Sequence, residues 1–199
     1  MDEARTIALF PLNICLLPGE DIPLKIFEPR YKQLINDCER EKFTFGIPFM
    51  FKNEMQMHGT EVKLNQIIAR NSHGEMVIMV ECVSNFEMVR FNDRYGDRLY
   101  SGGIVKTMQT SPAICNQELL KLVEDYTQKL DPDFFKTTPE GVYTSDDIAR
   151  VLNLSSEDKF IYLSFRTQAE RETFLLKQVM YMYKLREQEK LLNNDYYLN

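Results

Sequence analysis

The stretch that decides the fold is Leu9–Tyr31, LFPLNICLLPGEDIPLKIFEPRY. Phe10, Leu12, Ile14 and Leu16 alternate with other residues at the period of a half-buried strand. Pro18 and Gly19 break the run, because proline fixes φ and glycine tolerates positive φ. Ile22, Leu24 and Ile26 resume the alternation in a second strand. Pro29 falls where a first helical position loses nothing by lacking an amide hydrogen. The stretch therefore predicts a strand, a Pro-Gly turn, a second strand and the start of a helix.

Outward from this corner the pattern continues. Tyr31, Leu34, Ile35 and Cys38 form one apolar stripe of a helix over residues 29–41. Residues 43–51, FTFGIPFMF, read as a strand in which Pro48 marks an edge or a bulge. Lys52 to Gly59 reads as a polar, methionine-bearing loop, and residues 60–70 as a strand. After a turn at Asn71–Gly74, residues 76–91 read as a long strand or a strand pair whose centre, VIMVECV, is apolar enough to be buried on both faces. Residues 99–108 give a last strand, where Gly102 and Gly103 indicate a bulge or a close backbone approach. Short strands separated by turn signals favour a compact, mostly antiparallel barrel.

The pattern becomes helical beyond Gln109-Thr110-Ser111-Pro112. Asn116 caps a helix carrying Leu119, Leu122, Val123 and Tyr126, which Asp131-Pro132-Asp133 stops. Ser145 is placed to cap a short helix, and Ser155/Asp158 and Thr167/Glu170 have capping-box spacing before two more. The last helix, over about residues 168–192, is apolar around most of its circumference, so burial among other helices is expected. The fold class is α+β, with a β-barrel subdomain over 1–110 and a helical subdomain over 111–199.

The opening stretch also resembles a known family. LFPL, a turn containing PG, and IPLxIFEPRY are similar to the start of the Lon protease amino-terminal domain, carried here by Pro11, Pro18, Gly19, Pro23, Phe27, Glu28, Pro29, Arg30 and Tyr31. Ser145 to Glu189 resembles the helical half of that domain. The resemblance implies a PUA-like antiparallel β pseudo-barrel with one helix, followed by an α-helical bundle. It also implies a protein- or peptide-binding module of the protease La-like kind, with roles as an adaptor or regulator in protein quality control. A protease or chaperone is the partner it suggests. PUA-like barrels also occur in RNA-binding proteins, which makes nucleic acid the rival partner.

Composition narrows the choice. The formal charge is −6, and both halves are acidic: 13 basic against 15 acidic side chains over 1–114, and 11 against 15 over 115–199. A nucleic-acid partner therefore lacks its electrostatic footprint. The amino terminus has acids where a signal peptide has basic residues, and no run approaches the roughly 18 apolar residues of a membrane helix. Cys15, Cys38, Cys82 and Cys115 contain no CxxC, which fits a reduced, cytoplasmic protein.

The chemistry expected is binding without catalysis. No GxxxxGK[ST] loop occurs, so ATPase function is not expected, and no residue matches the family's Ser-Lys protease dyad. His58 and His73 lie in expected loops without metal-ligand spacing, so neither a metal nor a cofactor is expected. The acid pairs Glu20-Asp21, Asp146-Asp147 and Glu157-Asp158 sit at turns or helix starts, where they complement the helix dipole. Within the family motif, Glu28 is expected to cap the helix and Arg30 to brace the barrel. The candidate protein-binding residues are Phe49, Phe51, Met55 and Met57, because a methionine-rich rim adapts to varied apolar segments. Tyr196 and Tyr197 are further candidate contacts.

Overall fold

The computed structural model of the chain describes residues 4–109, 116–128 and 143–196. Asp131-Pro132-Asp133, Cys115 and Tyr197 lie outside the described residues. Two compact units are present: Met1–Thr110 with Ser155–Ser164, and Ser111–Leu154 with Phe165–Asn199.

The first unit is built on six strands, β1 (Arg5–Leu9), β2 (Asp21–Ile26), β3 (Phe45–Phe51), β4 (Glu54–Arg70), β5 (Met76–Asn92) and β6 (Ser101–Thr107), with helix α1 (Pro29–Glu41) after β2. Their order is β2-β5-β4-β3-β1-β6, and β6 also pairs with β5, which closes a ring of five strands. All pairings are antiparallel except β1 with β3, where Leu9 lies opposite Gly46. The length of β5 makes closure possible. Its first part, Met76–Glu81, pairs with β2, and its last part, Phe86–Asn92, pairs with β6. The VIMVECV centre is thus paired along both edges of the first part. Only alternate residues are buried, however: Val77 and Met79 are half-buried and Val83 is exposed.

Two cores lie on the two faces of this sheet. The larger one packs Tyr31, Leu34, Ile35 and Cys38 of α1 against Phe45, Ile47, Val62, Ile78 and Val80. The smaller one fills the ring with Ile7, Leu9, Phe86, Met88 and Val105. A five-stranded ring has little internal space, and glycines provide it. A Cβ on Gly59 would lie 2.3 Å from the Phe86 ring and 2.7 Å from the Ile47 carbonyl oxygen. Gly46 and Gly103 make similar room for Ile7, Leu9 and Phe86. At one end of the ring the buried Glu61 carboxylate pairs with Arg5 and accepts hydrogen bonds from Thr44 Oγ1 (2.5 Å) and Ser84 Oγ (2.7 Å). Burial alone would push this carboxyl up, but those hydrogen bonds and the Arg5 charge outweigh it and hold the carboxyl below the usual range.

The opening stretch differs from its reading at one point. Strand β1 ends at Leu9, and residues 13–17 leave the sheet after a single bridge of Leu12 to Phe49. Cys15, Leu16 and Leu17 are all buried, so alternation does not describe them. Their amides donate instead to side chains: Cys15 to Ser156 Oγ (3.2 Å), Leu16 to Thr60 Oγ1 (3.0 Å) and Leu17 to Glu20 Oε2 (2.8 Å). Gly19, at φ 86°, then turns the chain into β2.

Helix α4 (Ser156–Ser164) belongs with this unit. Ser155 caps it through Asp158, and Lys159 Nζ lies 2.8 Å from Glu20 Oε2 with both side chains largely buried. In the second unit, α2 (Gln117–Gln128) is capped by Asn116, whose Oδ1 accepts from Glu118 and Leu119 amides at 3.0 Å. Helix α3 (Ser145–Val151) is capped by Thr144 rather than Ser145, with Asp147 completing the box. Helix α5 (Gln168–Tyr196) starts from a Thr167/Glu170 box. It buries one face, through Glu172, Leu175 and Val179, while Met180, Tyr181 and Leu185 remain exposed, so burial is narrower than its composition suggests.

Three outcomes are expected. Gly59→Ala lowers stability by about 1–3 kcal/mol in urea unfolding, since the Ile47 backbone oxygen cannot rotate away from the new methyl group. Glu61 has a depressed value when folded, so its contribution is present above the ordinary carboxylate range and is lost as pH falls below about 5 through the folded value. Glu61→Gln therefore costs stability at neutral pH and flattens the acid limb of a stability–pH profile. Lys159→Met strands Glu20 in a partly buried site and costs on the order of 2–3 kcal/mol, somewhat less than for a fully buried pair.

Candidate protein-binding site

The candidate residues sit on the β3–β4 hairpin. Lys52 and Asn53 form its two-residue turn, with φ of 49° and 66°, the left-handed conformation that such hairpin turns require. Residues 54–59, read as a loop, are therefore strand. The usual Asn-Gly signal is missing, which hid the turn. Pro48 lies at a register shift: it pairs with Gly59, whereas Met50 pairs with Met55.

Alternation along the two strands divides the four candidates between two faces. Phe49 and Phe51 lie on one face, with ring centroids 6.3 Å apart, and the Phe160 ring of α4 lies 5.1 Å from Phe49. Phe49 is fully buried beneath these rings. Phe51 is half-buried, with Lys52 Nζ 5.1 Å from its centroid. His58 meets the edge of Phe160 at 5.9 Å. Met55 and Met57 lie on the opposite face. Met55 packs against the core inside the ring, whereas Met57 is 56% exposed. Phe49 is thus a buried support, Met55 is half-buried against the ring core, and Phe51 and Met57 are the outermost of the four on their two faces. Sequence reading missed Phe160 as a member of this cluster, because no local signal ties a residue so far along the chain to β3.

The family-motif residues have other positions. Pro18 and Gly19 form the turn before β2, where the Gly19 amide donates to the Cys82 carbonyl at 2.9 Å. Pro11 is half-buried next to the end of β1, and Pro23 is exposed on β2. Pro29 is the first residue of α1. Tyr31 is buried with its ring 3.8 Å from that of Phe10. Glu28 holds the N-cap position but makes no side-chain cap; it receives Arg30 Nε at 2.9 Å instead. Arg30 is exposed and lies over the Tyr31 ring at 4.5 Å, so it does not brace the barrel. Phe27 is 58% exposed.

The hairpin presents mainly apolar contact surface, with His58 at the edge of the aromatic cluster. Burial pushes the thiols of Cys15 and Cys38 up to about 12 and Cys82 higher still, so none is a thiolate at neutral pH. Among the described residues, no group of three or more His, Cys, Asp or Glu is placed to hold a metal ion. No described helix is long and apolar enough to cross a membrane.

Comparison with known proteins agrees with this architecture. Residues 6–192 match the family model described as the ATP-dependent protease La (LON) substrate-binding domain. Among solved structures, a Lon N-terminal domain protein from Xanthomonas campestris superposes with a TM-score of 0.65 at 24% identity, covering 87% of this chain and 98% of that one. The N-terminal domain of the Mycobacterium avium complex Lon protease gives a TM-score of 0.63 at 15% identity, covering 88% and 98%. No curated protein matches the chain. The chain belongs to the ATP-dependent protease La (LON) substrate-binding domain family.

Proposed function

We propose that this protein is a non-catalytic module that binds exposed apolar segments of other proteins, and that the tip of the β3–β4 hairpin makes the contact. The observation that carries this reading is the hairpin itself. It projects a half-buried phenylalanine, Phe51, on one face and an exposed methionine, Met57, on the other, above supports that are fixed in place. Methionine adapts its shape to different apolar surfaces, and an aromatic ring gives large contact area at low entropic cost. Phe49 and Met55 hold the two contact residues from below. We extend this reading to a role as an adaptor or regulator in protein quality control, acting with a protease or chaperone in the cytoplasm; membership of a substrate-binding domain family supports it. The acidic charge of −6 favours a protein client over nucleic acid.

The test is binding of a fluorescent, permanently unfolded protein, followed by anisotropy. Phe51→Ser with Met57→Ser should weaken binding at least about tenfold while leaving thermal stability nearly unchanged, since both residues reach solvent. Unchanged affinity in the double variant moves the site elsewhere. Tighter binding of single-stranded RNA than of unfolded protein refutes the functional reading itself.

A further inference from the structure

We infer that the solvent-facing side of α5 is a self-association surface, and that its occupant is the same face of a second copy of this chain, packed antiparallel. The face carries Glu170, Thr173, Phe174, Lys177 and Tyr181, spaced at three and four residues and turned away from the buried Glu172, Leu175 and Val179. It begins at an open cavity of about 310 Å³, whose walls include Phe165, Ala169 and Phe174 and whose rim includes Glu170 and Lys177. The Phe165 and Phe174 rings stand 5.6 Å apart at its centre. Further along the helix Tyr181 is 58% exposed and Leu185 40%, so the apolar surface continues past the cavity.

The charge pattern selects a second copy as the occupant. Glu170 and Lys177 lie seven residues apart, one on each side of the Thr173-Phe174 step. A two-fold axis through that step, relating antiparallel helices, sets residues whose numbers add up to 347 opposite each other. Glu170 of each copy then meets Lys177 of the other, twice over, and Phe174 of each copy faces Thr173 of the other beside the axis. A self-complementary patch of this kind is what an isologous interface needs.

Both charges are available. Lys177 is exposed and has no ion-pair or hydrogen-bond partner among the described residues. Glu170 is exposed and accepts at Oε2 from the Thr167 amide (3.0 Å) and hydroxyl (2.8 Å); the Arg166 charge also acts on it, but it forms no ion pair among the described residues. The paired stretch of helix covers residues 168–179, about 18 Å. That is a small contact by the standard of specific interfaces, so the dimer forms with a dissociation constant on the order of micromolar or weaker.

Sedimentation velocity across a concentration series tests the inference on the full chain. The wild type should pass from monomer to dimer, and Lys177→Glu should weaken dimerisation at least about tenfold by placing like charges together at both ends. Glu170→Lys should do the same. An equimolar mixture of the two variants should recover the dimer, because each supplies what the other lacks. Loss of association through misfolding cannot produce that recovery, and circular dichroism of each variant confirms its helix content. Thr173→Cys gives an independent readout: its thiols lie beside the axis, so mild oxidation should yield a reducible covalent dimer, and adding Lys177→Glu should suppress it. A wild type that stays monomeric throughout, a Lys177→Glu protein that dimerises as the wild type does, or a mixture that stays monomeric overturns the inference.

Discussion

Three successive buried amides set the terms for the barrel. Once the chain leaves the sheet after Leu9, the backbone of Cys15, Leu16 and Leu17 has no strand to pair with, yet all three residues are buried. An unsatisfied buried amide costs about 1–3 kcal/mol, so three of them would use up much of a domain's net stability. Side chains from β4, from the turn before β2 and from α4 take their place. Thr60 bonds Leu16 twice: it accepts from the Leu16 amide and donates back to the Leu16 carbonyl at 3.1 Å, and Asn85 Nδ2 reaches the same oxygen at 2.7 Å. Thr60, Asn85, Glu20 and Ser156 are therefore bound to the path of one irregular segment, and that segment places β2 and α1. A barrel pinned by side chains in this way can hold a non-repetitive connection at its core face.

The same exchange explains what could be read from the sequence and what could not. Helix α1 was legible from end to end, because Pro29 opens it and one apolar stripe runs along it. The capping boxes at Ser155 and Thr167 were legible for the same reason: their chemistry is local. Ser145 was misplaced by one residue, since Thr144 and Ser145 are equally good caps on paper and only the geometry of Asp147 separates them. The Phe10–Leu16 alternation misled, because period two also arises where every second residue is polar or small for unrelated reasons. The partners that decide the matter are Thr60, 44 residues away, and Ser156, 141 residues away. The glycines of the ring were partly visible: Gly102 and Gly103 read as close approaches, but nothing local marks Gly59 as the site where Phe86 needs space.

The candidate site was legible in composition but not in arrangement. FMFKNEMQM announces an apolar, flexible element, yet the division of its four candidates into two supports and two contacts depends on strand alternation across a hidden turn. A loop would have let all four converge on one client. A hairpin fixes them in opposite directions, so Phe51 and Met57 are presented on opposite sides of one edge.

Helix α4 gives this barrel a history as well as a structure. Its Ser156 and Lys159 complete contacts begun by Cys15 and Glu20, 141 and 139 residues earlier in the chain. On a ribosome, every strand of the ring emerges well before the helix that satisfies the Cys15 amide and neutralises Glu20. Closing that long loop costs only about 1 kcal/mol more than closing the 44-residue loop from Leu16 to Thr60, so the delay lies in time rather than in free energy. Until α4 arrives, the nascent barrel carries an uncovered Phe49 and an unpaired acid on one flank. Over that interval, a module whose family is named for substrate binding itself resembles a substrate.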